Sequence, residues 1–354
     1  MKIKIVILFL LSVALLGGCS LTSSVSKQSK TDGGIWKSTD SAKTWAHTVS
    51  VATANGKPAS IANVDVRKIV IDPSDSSAIY LATENHGIIY SYDGGNGWNQ
   101  FKQINKGKIY SISVDPKNKC VIYSVGEDKM FKTTDCGRKW DVLYQHPKKD
   151  VYLTDVAVDP INSQVIYLAN SVGEIIKSTN AGATWSVSYR EPKANLFAEI
   201  IINPKDSKII YAATWQKGIY KTEDAGKTWN SLSEGLAGYS KSSNYKKLII
   251  DKSLPDNLIL ASKFGILKSK DAGKSWEVVP LLPAPGQTNI NAMAVNPKNI
   301  AEIYYATDNA VVKSVDGGKT WATQKLQFSR LPNDMVIDFN SPNIIYLGTK
   351  TQNK

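Results

Sequence analysis

The sequence predicts an all-β chain folded as a seven-bladed β-propeller with four-stranded antiparallel blades. Three observations carry this. A Trp-ended motif recurs seven times along the 354 residues, and an apolar motif recurs in phase with it. The stretches between are short β-branched runs without helical periodicity. A period of about 40–45 residues holding four short strands is that of a propeller blade.

The first motif is an apolar pair, Lys, Ser/Thr, any residue, Asp, a small turn and Trp. Its copies place Asp40 before Trp45, Asp93 before Trp98, Asp135 before Trp140 and Asn180 before Trp185. Asp224 before Trp229, Asp271 before Trp276 and Asp316 before Trp321 complete the set. Successive Trp residues lie 53, 42, 45, 44, 47 and 45 apart. The second motif is an apolar stretch, Asp/Asn-Pro, a polar loop and Ile-Tyr. It occurs at Asp72-Pro73, Asp115-Pro116, Asp159-Pro160, Asn203-Pro204 and Asn296-Pro297, with degenerate copies at Asp251-Lys252 and Asp338-Phe339. Each unit therefore reads as strand A, stopped at Pro, which cannot extend the ladder. Strand B follows at Ile-Tyr, strand C ends in Lys-Ser/Thr, and strand D begins at Trp.

The two ends are complementary. The first unit holds only strands C and D (34–49) and the last only A and B (335–348). Closure is expected by pairing the N-terminal C/D strands with the C-terminal A/B strands, which removes exposed edges. The propeller is assigned to residues 33–350.

Composition agrees. The chain is 42% hydrophobic, 21% charged and 9% aromatic, which excludes wholesale disorder, collagen and a multi-span membrane protein. Three Cys exclude a zinc framework and a disulfide-stapled miniprotein. With 43 Lys+Arg against 31 Asp+Glu the formal charge is +12, but only four are Arg. Phosphate readers favour the planar Arg fork, so no nucleic-acid partner is expected.

Residues 1–18 read as a lipoprotein signal peptide, with Lys2 and Lys4 before an apolar run of secretory length. Leu16-Gly17-Gly18-Cys19 resembles a bacterial lipobox, which makes Cys19 a lipidation site and residues 19–32 a tether. The alternative is a chance Cys at the end of a signal. The expected location is extracytoplasmic, as a bacterial membrane lipoprotein on the plasma membrane's outer leaflet or on an outer membrane. Membrane contact would run through the lipid alone.

Ser/Thr-x-Asp-x-Gly-x-x-Trp resembles the Asp-box, or BNR repeat, of sialidases, sortilin-type receptors, xyloglucanase-like glycosidases and photosystem II assembly factors. The Asp-Pro…Ile-Tyr pattern is closer to the sortilin and xyloglucanase branches. The resemblance implies that each box is the C–D hairpin, its Asp accepting backbone hydrogen bonds and its Trp packing between blades. Asn180 fits an acceptor better than a catalyst, and Ala42 in place of Gly suggests a slightly altered first turn. For activity the resemblance is silent, because its members include hydrolases, receptors and assembly factors.

In a four-strand meander the A–B and C–D turns share one face, and the B–C and D–A loops share the other. A site is expected on the second face. Pairing strands B and C about 126–129 brings Cys120 beside Cys136; outside the cytoplasm this predicts a disulfide, the alternative being two free thiols. Trp215, outside the boxes and on a B–C turn, is the first candidate contact. Lys217, Phe264, His86, Tyr239, Arg190 and Arg330 are the others. Loop lysines form a basic face suited to an acidic partner, or else only solubilise the surface; Lys also recurs in strand C at Lys37, Lys132, Lys177, Lys221, Lys268 and Lys313.

Catalysis is not expected. A sialidase-like site needs three Arg converging on a carboxylate; of the four here Arg138 lies in an Asp-box on the other face, and no Arg-Ile-Pro precedes the first blade. Asp65, Glu84, Asp155, Glu199 and Asp308 could pair as a glycosidase acid and base, but each reads as a solvated loop residue. His47, His86 and His146 form no ligand spacing, so neither metal nor cofactor is expected. The function expected is a monomeric, lipid-anchored binding scaffold for a protein or glycan partner at the cell envelope. A single-propeller glycoside hydrolase, xyloglucanase-like or sialidase-like, is the alternative.

Overall fold

The computed structural model describes residues 31–51, 59–191 and 196–352. Cys19 and the signal segment lie outside these residues. Seven four-stranded antiparallel sheets follow one another around a central channel, with strand A of each innermost. The strand A segments are Val66–Asp72, Ser111–Asp115, Leu153–Val158, Phe197–Ile202, Tyr245–Ile250, Ala292–Asn296 and Leu331–Ile337. We number the blades one to seven in that order. In the seventh, Ile345–Lys350 is strand B and pairs with Ile35–Ser38 as strand C, Trp36 opposite Leu347 and Lys37 opposite Tyr346. Two additions interrupt the repeat: a small hairpin of Ser50–Val51 with Ala59–Ser60, and a single helical turn, Ser233–Leu236, between blades four and five.

The core is divided among the blade interfaces. Each of seven buried apolar clusters contains one box Trp. In six of them that Trp meets the strand B Tyr of the preceding blade, as Trp98 meets Tyr346 and Trp229 meets Tyr167. The sixth blade's Trp321 meets Ile259 instead. Trp98 is wholly buried, and Trp140 and Trp276 nearly so. A flat indole covers much apolar area with little rotamer entropy, which suits a repeated wedge.

The strand C lysines have a structural partner. Lys37, Lys132, Lys177, Lys221 and Lys313 lie over the rings of Tyr346, Tyr123, Tyr167, Tyr211 and Tyr304, 5.1–5.8 Å from the centroids. Each pair is directly cross-strand. Lys177 also donates to the Ala225 carbonyl (2.7 Å) and Lys37 to that of Gly94 (2.8 Å), both in the next blade's box. The cation–π contacts tie strand C to strand B within each blade, and the Lys177 and Lys37 hydrogen bonds tie consecutive blades together.

Within a box, Ser269 Oγ donates to Asp271 Oδ1 (2.8 Å) and accepts the Gly273 N–H (2.9 Å). Asp271 Oδ1 in turn accepts the Ser275 N–H (2.9 Å). The two residues after the acid are left-handed, as Ala272 (φ 59°) and Gly273 (φ 88°) show. The first box keeps the same turn despite Ala42, which sits at φ 69° with its N–H on Ser38 Oγ (2.9 Å). The expected alteration is absent because the serine bond holds alanine in the left-handed region. Asn180 reproduces the acid's role, accepting the Thr184 N–H at 2.9 Å. Asp271→Asn should therefore leave Tm unchanged within a degree. Asp271→Ala should lower it by about 2–4 °C, the loss of roughly one hydrogen bond. Thermal unfolding of both variants checks this, and an equal drop in both would refute the acceptor role.

Cys120 and Cys136 form a disulfide with Cα atoms 3.9 Å apart. The Cys136 N–H also donates to the Cys120 carbonyl (3.1 Å), so the bridge ties strand B of blade two to its own box.

Candidate functional site

On the face of the B–C turns and D–A loops the channel opens into a funnel of about 790 Å³. Its floor is built from equivalent positions of the A strands, each four residues before the strand's Asp/Asn end. Lys68, Asp155, Glu199, Lys247 and Asp334 line it, Ser111 joins through Lys68, and Ala292 packs into a core cluster. In five strands the register shifts beside this position, leaving a backbone N–H to be satisfied. The acids supply acceptors. Asp155 Oδ2 takes the Ile200 N–H (2.7 Å) and Asp334 Oδ2 the Ile69 N–H (2.8 Å), each in the following blade. Where Glu199 stands, the Tyr245 hydroxyl bridges instead, donating to Glu199 and accepting the Leu248 N–H at 3.0 Å.

The remaining carboxylate oxygens face lysines. Lys68 Nζ lies 2.9 Å from Asp155 Oδ1, 3.7 Å from Glu199 Oε1 and 3.1 Å from Ser111 Oγ. Lys247 Nζ lies 3.2 Å from Glu199 Oε1 and 3.9 Å from Asp334 Oδ1. Burial pushes the Glu199 carboxyl up, but Lys247, Lys68 and the Tyr245 hydroxyl outweigh it and hold the group down to about 2. Burial likewise pulls both lysines down, and their acids more than reverse it. Asp334 is the exception: burial dominates and its carboxyl is raised. The floor is thus an alternating ion chain, Asp155–Lys68–Glu199–Lys247–Asp334, spanning blades that are distant in sequence.

Above the floor, Glu84 binds both Arg67 and Lys108 at 2.5 Å. Arg67 lies 4.7 Å over the Tyr110 ring, which stacks on Tyr152 at 5.2 Å and 16°. Trp215 completes the wall, 55% exposed. It occupies the same place in its turn as Glu84 does in blade one. In both turns a Thr hydroxyl, of Thr83 or Thr214, donates to the carbonyl of the Gly four residues on, so each presents its first residue to the funnel.

Of the candidates singled out by sequence, only Trp215 lines this cavity. Arg330 is 4% exposed and bonded to Asp65 Oδ1 at 2.5 Å, so it is a buried counterion and no surface contact. Arg190 lies at the outer edge of blade three, on Glu174 (2.8 Å). Tyr239 and Phe264 pack edge to face at 5.3 Å over the fifth blade's cluster, and the Tyr239 hydroxyl donates to the Trp276 carbonyl. His86 and Lys217 shape B–C turns, their N–H groups on Thr83 and Thr214 hydroxyls, and stay outside the lining. Conversely Asp65, Glu84, Asp155 and Glu199 are brought together in the funnel, contrary to their reading as solvated loop acids. Asp308 instead accepts from the Asn291 amide (2.7 Å) outside the lining. A signal for the floor existed: aligning the seven A strands on their Asp/Asn ends places all seven residues in one column.

Residues 33–172 match the family model described as sortilin, neurotensin receptor 3, and residues 213–328 that of the photosynthesis system II assembly factor YCF48. Neither spans half the chain. No curated protein sequence matches. Among solved structures, the GH74 xyloglucanase from Xanthomonas campestris superposes with TM-score 0.66 at 18% identity. That match covers 85% of this chain and 52% of the enzyme, so the chain spans about half the enzyme's length. YCF48 bound to a D1 peptide gives 0.61 at 16% identity, covering 81% and 94%. YCF48 from Cyanidioschyzon merolae gives 0.60 at 14%, covering 81% and 96%. These likenesses establish the fold, an Asp-box seven-bladed propeller shared by glycosidases and assembly factors.

Proposed function

We propose that the chain is a non-catalytic binding propeller of the bacterial envelope, lipidated at Cys19, that receives a protein or glycan partner in the funnel. The observation that carries this reading is the commitment of the funnel's acids. Asp155, Glu199 and Asp334 are each spent on lysines or on backbone and tyrosine donors. A glycosidase acid must be protonated near neutrality and reach the glycosidic oxygen. Glu199 is instead driven down to about 2, and Asp334, though raised, is only 7% exposed and held by the Ile69 N–H and Lys247. Among the solved relatives one is a xyloglucanase and one carries a peptide, so both partner classes are compatible with the architecture.

Hydrolysis keeps one observation in its favour. Asp155 and Glu199 flank a single ammonium beside stacked aromatics, a spacing within reach of a carboxylate pair. Lys68 Nζ stands between them, 2.9 Å from Asp155 and 3.7 Å from Glu199. A glycan array combined with reducing-sugar release on the purified chain separates the two: binding without release is expected. Release that disappears in Glu199→Gln or Asp155→Asn would overturn the binding reading. For the anchor, Cys19→Ala should move the protein from the membrane to the soluble fraction.

A further inference from the structure

The funnel's charges do not cancel. Six basic and five acidic side chains line it, and one of the acids, Asp65, is already neutralised by Arg330 from outside the lining. Arg67, Lys108, Lys68 and Lys247 all have carboxylates within ion-pairing distance. Lys246 and Lys350 have none among the described residues, although both are exposed at the mouth. Both line the same mouth: partial desolvation pulls Lys350 below an ordinary lysine, the charges of Lys246 and Arg67 add to it, and Asp65 and Glu84 oppose it. Two lysines at one mouth with no described carboxylate within ion-pairing distance leave a local excess of positive charge that Asp65 and Glu84 offset only from further away, and an anion placed there reduces that cost.

The same cavity presents a flat apolar surface, the exposed indole of Trp215. The turn that carries it is held by the backbone: the Trp215 main-chain N–H donates to the Leu196 carbonyl (3.0 Å), and the Thr214 hydroxyl closes the turn on the Gly218 carbonyl (2.9 Å). An exposed aromatic face and two ammonium groups with no ion pair among the described residues, lining one cavity, match a ligand with an apolar ring face and a carboxylate on the same unit. An extended peptide could not add as a strand here, because the funnel wall is made of strand ends whose ladders are already paired. We infer that the funnel binds an acidic sugar polymer of the uronate class, with a carboxylate on Lys246 and Lys350 and a sugar ring on Trp215. This inference rests on the funnel being the partner site.

The test uses the full chain, hexagalacturonic acid as probe, its methyl ester as the neutral control and hexaglutamate as the acidic-peptide control. Trp fluorescence and calorimetry report binding, since Trp215 is the one Trp among the large exposed side chains. Hexagalacturonic acid should bind at least about tenfold more tightly than its ester, and more weakly as salt rises. Lys246→Gln with Lys350→Gln should remove that preference, and Trp215→Ala should weaken both sugars. Both sites are exposed, and an unchanged Tm would confirm that each variant is folded. Binding of hexaglutamate as tight as that of the uronate, insensitive to Trp215→Ala, would overturn the sugar assignment while leaving a binding funnel. Tight binding of the neutral ester alone would also overturn it. If no array glycan and no envelope protein engages the funnel, the broader reading falls as well.

Discussion

Truncation after Asn343 is expected to abolish cooperative folding and not merely to lower stability. The cut removes strand B of blade seven, and with it Ile345, Tyr346 and Leu347, each at most 1% exposed. Ile345 and Leu347 belong to the cluster shared with blade six, and Tyr346 to the one shared with blade one, so two interfaces lose their centre. At about 1.5–3 kcal/mol per large buried side chain, the loss rivals the whole net stability of a typical domain, about 5–15 kcal/mol. Bonds go too: the Tyr346 hydroxyl to the Gly94 carbonyl (2.9 Å) and the Lys37 contact over its ring. Strands Ile35–Ser38 and Leu331–Ile337 would each be left with an open edge. Circular dichroism and calorimetry should find no sharp transition. Truncation after Thr351 is the control, because it keeps the Thr351 N–H on Asp65 (2.7 Å) and should melt as the full chain does. A cooperative melt within about 5 °C of the full chain after the Asn343 cut would show that the ring does not depend on its closing strand.

The ring and its closure were legible because their signals are local. A box is defined within a few residues, and its acid, turn and Trp are all needed by one hairpin. Strand phase follows from Pro and Ile-Tyr in the same way. The strand C lysines were harder, since their meaning lies across the ladder: Lys177 is explained by Tyr167 beside it and by Ala225 in the next blade. The funnel floor was invisible to a reading along the chain. Lys68 and Asp155 are 87 residues apart, and Asp334 and Ile69 are 265 apart. Nothing near Asp155 in sequence distinguishes a floor carboxylate from a solvated one. Arg330 failed as a contact for the same reason, because its partner Asp65 belongs to the other end of the ring. Trp215 stood out because a Trp on a turn has no local packing use, and it lies exposed in the funnel wall.

Lys247→Met should then be the most damaging single substitution in the floor, by about 3–5 kcal/mol at pH 7. It leaves Glu199 with Lys68 alone at 3.7 Å and Asp334 with no ammonium, so two buried carboxylates share too little positive charge. The pH dependence identifies the cause. In the native ring Glu199 titrates near 2 against a usual 4.5. A depressed acid stabilises the fold above its unfolded value and loses that contribution as pH falls from about 4.5 towards 2, here on the order of 3 kcal/mol. In Lys247→Met the sign reverses at Glu199, because burial now raises it, and Asp334, already raised, moves further up. Such groups bind protons more readily folded than unfolded, so stability is regained as pH falls through their raised values. The variant should melt about 10 °C below the native chain at pH 7, with the gap narrowing at pH 4. Adding Glu199→Gln to Lys247→Met should recover part of the loss at pH 7, since it removes one uncompensated charge at nearly constant volume. A deficit that is the same at both pH values, and unrelieved by Glu199→Gln, would mean that Lys247 acts by packing and not by charge.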